Sequence, residues 1–438
     1  MSVMTAFGIC MILLIILLLV GVPLPYCFAG ALAFMITTCG IPVKSLFVWG
    51  YNQMISPSLL AVPMFVIAGN LIAESGIAEK LIGLARLVVG KARGALGVIC
   101  VIVCGIIGAI SGSAFTGIAA LGSIIIPELR KEGYSKGFST ALVTCSSILG
   151  SLIPPSIPII IFGWATGTSI LASFVSTVVP GIITIITFSA INVFYARKYA
   201  KAPVKDDSLP QSGTRQISRG KTILEAIPAL MMPVIILGGI YGGIFTATEA
   251  AAVCAALAIV FGIFIYRRLK FRNTSKMLRS TASSIGSIFM MIFFCLLLSQ
   301  VMTQLMIPQK LVEVFVGFTD NKYVVLLMIN IFLLFVGMIV NDTTAVMLCA
   351  PLLMPLVMSY GISPVHFAAI MIVNLSAGCL TPPYASVLYF GMKVGDCEFS
   401  EMMKNAAVFL LVGYLPVVLL TTYIEPVSMM LPRLLGLA

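Results

Sequence analysis

Apolar residues run along this chain in blocks about as long as a membrane crossing, each closed by a short polar or glycine-proline stretch. Only a helix satisfies its own backbone inside lipid, and it needs about 20 apolar residues to cross the hydrocarbon core. On that measure spans fall at 5–20, 24–39, 59–74, 138–164 and 171–196, and again at 227–243, 245–266, 281–300, 365–390 and 405–424. Two further segments, 95–130 and 323–358, are too long for one crossing and are interrupted by a polar tip, Ser111-Gly112-Ser113 in one and Asn341-Asp342-Thr343-Thr344 in the other. They predict re-entrant helical hairpins.

The pattern occurs twice. "IIIPELRKEGYSKGFSTALVTCSSILGSLIPPSIPIIIFG" (124–163) aligns without a gap on "LLMPLVMSYGISPVHFAAIMIVNLSAGCLTPPYASVLYFG" (352–391), so that Gly150, Pro154, Pro155 and Gly163 meet Gly378, Pro382, Pro383 and Gly391 at a constant offset of 228. Five spans and one hairpin per half make an odd number of crossings, so the second half enters the membrane upside down relative to the first. The predicted organisation is an all-α polytopic membrane protein of two inverted repeats, 1–200 and 225–438, joined by a polar linker at 201–224.

Composition agrees. Of 438 residues, 60% are hydrophobic and 9% charged, too little polar surface for a soluble chain. The N-terminal run lacks a basic start and a small-residue cleavage pattern, so it reads as a retained span. The net charge of +11 resides in short loops rather than in a nucleic-acid-binding stripe. With the N-terminus outside, every Lys and Arg except Lys44, Lys310, Lys322 and Arg433 falls on the inside, which favours both termini outside. The eleven cysteines form no C-x-x-C and are joined by a single histidine, His366, so a zinc site is not expected. "GKT" at 220–222 has Arg215 where a nucleotide-binding loop requires its first glycine, so the driving energy is not ATP.

Candidate chemistry lies where helices break. Each proline lacks an N–H and clashes with the carbonyl four residues back. The carbonyls of Gly150 and Ser151, and of Gly378 and Cys379, therefore lose their helical partners. Unpaired carbonyls at membrane depth are tolerated where they line a cavity or bind something, and a sodium ion, which takes oxygen ligands, suits them. New helix N-termini after Pro155, after Pro383 and on the hairpin return limbs suit a carboxylate. Asp342 is an acidic residue at membrane depth and hence a site candidate. Thr140, Thr144, Ser146 and Ser147 read as helix-packing residues.

Several stretches resemble the large membrane subunit of tripartite ATP-independent periplasmic (TRAP) transporters, the DctM type: "AVPMFVIAGNLIAESGIAEKL" (61–81), "ISGSAFTGIAALGSIIIP" (110–127), "IPPSIPIIIFG" (153–163), "GIFTATEAAAV" (243–253) and "GISPVHFAAIMIVNLSAGCLTPPYASVLYF" (361–390). The resemblance implies sodium-driven uptake of organic acid anions by an elevator motion of a transport domain within a scaffold. It implies a bacterial inner-membrane location, in which the outside given by the charge pattern, and with it both termini, is periplasmic. It also implies two partners, a small four-helix membrane subunit of DctQ type and a periplasmic binding protein of DctP type. Carried over, it places Ser111, Gly112 and Ser113 at the inner hairpin tip and Pro154, Pro155 and Ser156 at the first break. Asp342, Thr343 and Thr344 fall at the outer tip, and Gly378, Thr381, Pro382 and Pro383 at the second break. Sodium is expected at both tip-and-break sites, with no other cofactor. Asn70, Ala247, Tyr384 and Ala385 depart from the family's usual residues. Two other classes compete: a stand-alone ion-coupled transporter or antiporter of similar fold, and a membrane-embedded hydrolase built on Ser113 and His366, the one conceivable Ser/His pair.

Overall fold

The computed structural model describes residues 2–90, 92–199, 219–269, 271–382 and 385–437. Most of the predicted linker, at 201–218, lies outside them, as do Lys91, Lys270, Pro383 and Tyr384. Among the described residues the regular structure is entirely helical, and nine helical segments are long and apolar enough to cross a membrane.

Each of the two long segments is parted into two helices at its polar tip. The first consists of Ala95–Ser111 and Ala114–Lys131, the second of Lys322–Ile339 and Asp342–Ser359. The first interrupted helix runs through Lys136–Ser147 and Leu149–Leu152, breaks across a cis Pro154–Pro155 bond, and resumes as Ile157–Thr166. The second runs through Pro364–Gly378 and resumes as Ser386–Gly395. The return limbs Ala114–Lys131 and Asp342–Ser359 begin and end 228 residues apart, the spacing seen in the sequence.

Packing between the halves is reciprocal. Leu24–Cys39 of the first half lies on Phe271–Gln304 of the second, while Ala247–Val260 of the second lies on Pro57–Ser75 of the first. Ile157–Thr166 packs on the return limb Asp342–Ser359, and Ser386–Gly395 packs on Ala114–Lys131. The helix Ser386–Gly395 also packs on Lys136–Ser147, and that seam depends on small residues. A Cβ on Gly391 or Gly395 would collide with the hydroxyl of Thr144 or Thr140. Those hydroxyls donate to carbonyls one turn back in their own helix, Thr140 to Lys136 at 2.9 Å and Thr144 to Thr140 at 2.7 Å. They are packing residues, as their sequence context predicts.

The structure adds helices to the predicted set and lengthens one. Val43–Met54, Ile77–Val89, Ile307–Phe318 and Pro426–Leu434 are helical but short. Helix Phe271–Gln304 is 34 residues long and starts well before the predicted 281, so Lys276 and Arg279 belong to a helix and not to a loop.

Candidate functional site

Gly112 turns the first tip. Its φ of +64° is left-handed, its amide still reaches the Gly108 carbonyl at 2.8 Å, and a side chain there would be strained. The second tip turns without glycine. Val340 leaves the helix in extended geometry, and Asn341 caps the return limb by accepting from the Thr344 amide at 2.9 Å and its hydroxyl at 2.5 Å. That cap sets Asp342 at the first helical position, where the helix dipole favours a negative charge.

The first tip and the first break are locked together. The Ile157 amide donates to the Gly112 carbonyl at 3.1 Å. A Cβ on Gly150 would come within 2.5 Å of the Ser113 carbonyl oxygen, and one on Gly112 within 2.7 Å of the Pro155 oxygen. Backbone therefore rests directly on backbone at this junction. Each break also rests on the outgoing limb of its hairpin, the Gly108 Cβ position lying 2.6 Å from Gly150 and the Gly378 Cβ position 2.5 Å from Gly337.

Asp342 joins the two halves. One carboxylate oxygen accepts from the Thr343 amide at 2.8 Å, and the other accepts from the hydroxyl of buried Ser151 at 2.8 Å. The second tip thus reaches across to the first break rather than only to its own. Two carbonyls expected to be vacant have found substitutes for their helical partners. Ser151 O accepts from the Ser156 hydroxyl at 2.7 Å, and Gly378 O accepts from the Thr381 amide at 2.8 Å, while the Thr381 hydroxyl donates to Ala377 at 2.8 Å. Ser151 O and Gly378 O each thus have one lone pair engaged by a neighbouring hydroxyl or turn, and the second remains for a ligand.

The two tips and the first return limb surround an internal cavity of about 90 Å³. Gly112, Ser113, Ile157, Asn341, Asp342 and Thr343 line one wall; Val62 and Val66 of Pro57–Ser75 and Ile288 and Met291 of Phe271–Gln304 line the other. Three helices start at this cavity, Ala114–Lys131, Ile157–Thr166 and Asp342–Ser359, so three positive dipole ends converge there. No Lys, Arg or His among the described residues lines it. Gly378, Cys379, Thr381 and Pro382 do not reach its lining, and Pro383 is outside the described residues. The apolar wall was not identified from sequence; the 228 offset, which superposes 57–75 on 285–303, is the signal that could have found it.

Ser113 and His366 do not meet. Ser113 faces the central cavity, whereas His366 Nε2 pairs with the Thr421 carbonyl at 2.9 Å beside a separate pocket of about 300 Å³ that also holds Lys322 and Glu425. Asn374 bonds Asn330 at 2.8 Å and serves packing between helices. Among the described residues no group of His, Cys, Asp and Glu could hold a metal by clustering.

The sequence matches the family model described as "Tripartite ATP-independent periplasmic transporter, DctM component" over residues 11–426. It is 33% identical over 423 residues to the sialic acid TRAP transporter large permease protein SiaM of Vibrio cholerae, covering 95% of this chain and 96% of that one. It is 32% identical over 454 residues to the C4-dicarboxylate TRAP transporter large permease protein DctM of Rhodobacter capsulatus, with 100% of each chain covered. It is also 32% identical over 418 residues to the isethionate TRAP transporter permease protein DctMQ of Oleidesulfovibrio alaskensis, of which it spans 64% while 94% of this chain is covered. In fold it resembles the crystal structure of the Alcanivorax borkumensis YdaH transporter, with a TM-score of 0.60 at 17% identity, covering 88% of this chain and 90% of that one.

Proposed function

Because the chain belongs to the DctM-component family of tripartite ATP-independent periplasmic transporters, and is thus a multi-pass transport protein and not an enzyme, we propose that it is the large permease subunit for sodium-coupled uptake of a small organic acid anion. It acts in the bacterial cytoplasmic membrane with a DctQ-type small membrane subunit and a DctP-type periplasmic binding protein that delivers cargo. The relatives' cargoes are dicarboxylates, a sugar acid and a sulfonate, which share a small size and an acidic group.

One observation carries the reading. Both hairpin tips meet at a cavity lined by a carboxylate, hydroxyls and helix N-termini, with no cationic side chain among the described residues. An anion cannot share that cavity with Asp342 unless a cation enters with it, and the oxygen-rich lining suits sodium. Ion and cargo then bind as one unit, each raising the affinity for the other. At about 90 Å³ the cavity has room for an ion and some water but lies well below the several hundred Å³ of sites that enclose small molecules. Cargo therefore requires the tips to draw away from the wall of Val62, Val66, Ile288 and Met291. Movement of the hairpins and interrupted helices as a body against that wall is the elevator motion we assign to it. The equal return limbs and the reciprocal packing of the halves support an inverted-repeat frame for this motion.

Reconstitution of the chain with both partners in proteoliposomes tests the proposal. Labelled succinate, sialic acid or isethionate should accumulate only with an inward sodium gradient and the binding protein present. Undiminished uptake with choline in place of sodium would overturn the coupling, and full uptake without the binding protein would favour the stand-alone transporter.

A further inference from the structure

The two wall helices, with Arg268 before the second, line a larger space that is open on one side. Asn70 lies one turn beyond Val66 on Pro57–Ser75, and Thr281 lies two turns before Ile288 on Phe271–Gln304. They line a cavity of about 610 Å³ together with Glu74, Arg268, Lys276 and Ser280. Between this cavity and the central one the helices are bridged by a hydrogen bond from Asn70 Nδ2 to Thr281 Oγ1, at 2.9 Å. The volume falls in the range of sites that take small organic molecules. Positive charge, absent from the central lining, is present here. Arg268 pairs with Glu79 at 2.7 Å, and Lys276 is exposed and joins no ion pair among the described residues.

We propose that this cavity is the exit site for the cargo anion, with the Asn70–Thr281 bond as the threshold between it and the central cavity. The inference rests on the uptake function assigned above. A carboxylate or sulfonate that parts from sodium loses its counter-charge. Lys276 and Arg268 supply a replacement a few helical turns away, on the side where the basic loops lie. Glu74 on the same wall and Glu79 on Arg268 offset that charge, so the anion is held weakly enough to leave. Asn70 can exchange this bond for one to the passing anion, since its amide is the donor, while the Thr281 hydroxyl accepts from Asn70 and donates to the Met277 carbonyl at 2.9 Å.

The test uses the full three-component complex in proteoliposomes with a known internal concentration of succinate, sialic acid or isethionate, whichever the wild type accumulates. Exchange against labelled external cargo is measured as internal concentration varies. Lys276→Gln and Arg268→Gln should each raise the internal concentration for half-maximal exchange roughly three- to fivefold, the size of one partly exposed charge contact, and leave the external half-saturation unchanged. In sodium-free detergent solution, the same anion should raise the melting temperature of the wild type and of Asp342→Asn but not of Lys276→Gln. Internal and external dependences that match the wild type would overturn the exit site while leaving the uptake function intact. A variant defect that appears only in vesicles containing anionic phospholipid, and vanishes in pure phosphatidylcholine, would overturn it in favour of a lipid phosphate. A wild-type complex that accumulates none of the three cargoes would sink the uptake function and this inference with it.

Discussion

Ser151 contributes twice to the centre of the molecule. Its carbonyl, deprived of a backbone donor by Pro155, is satisfied by the Ser156 hydroxyl, and its own hydroxyl orients Asp342. A hydrogen bond to a charged group contributes about 1.5–3 kcal/mol. Removing it in Ser151→Ala should raise the sodium concentration for half-maximal uptake by on the order of tenfold. Asp342→Asn, which removes the charge itself, should raise it further. Sodium titration of initial uptake rates measures both, and curves that overlay the wild type would take these residues out of the ion site. The candidacy of Asp342 was legible in sequence because a carboxylate is costly to hold within an apolar run and is kept there for what it binds. Its partner was not. Ser151 is 191 residues away and on the other half, a pairing that no local pattern contains. The role of Ser156 was closer to reach, since a hydroxyl directly after a proline pair is well placed to replace the donors those prolines lack.

Helices meet here through glycine, and that makes their seams sensitive to a single methyl group. Gly150→Ala places a Cβ 2.5 Å from the Ser113 carbonyl oxygen, and neither backbone can yield without opening the tip. Overpacking of this kind costs about 1–3 kcal/mol. Gly238 is a control, being helical with nothing within 4 Å of its Cβ position, so Gly238→Ala should be neutral or stabilising by up to about 1 kcal/mol. Thermal unfolding in detergent should therefore move in opposite directions, or at least separate clearly; equal melting temperatures would show that the seam is not tight. The hairpins and breaks were readable because a polar tip or a proline pair within an apolar run has a local physical consequence. The short helices Ile77–Val89 and Ile307–Phe318 escaped because each is too short to span and confines its apolar residues to one face, a signal lost among longer runs.

At the scale of the whole molecule, the ion pairs sort by side. Lys80–Glu225, Arg86–Glu128, Lys136–Asp396 and Arg268–Glu79 each join residues that the basic-loop rule puts inside, while Arg433–Glu425 joins two that it puts outside. None among the described residues pairs one face with the other. In a cysteine-free variant, single cysteines at Lys44 or Lys310 should react with a membrane-impermeant maleimide in intact cells, and cysteines at Lys80 or Lys404 only after lysis. The reverse pattern would invert the assigned topology. The constant offset of the halves has an exception at the centre. Ser151 corresponds to Cys379 and Asp342 to Ala114, so the polar link of one diagonal faces a thiol and a methyl group on the other. The frame we assign to the molecule looks alike from either side of the membrane, but its charge does not. A machine symmetric in both respects would have no way to tell arrival from departure. This one carries its heads and tails in a single carboxylate, so its two faces are not interchangeable, while the gradient alone decides which way the cargo flows.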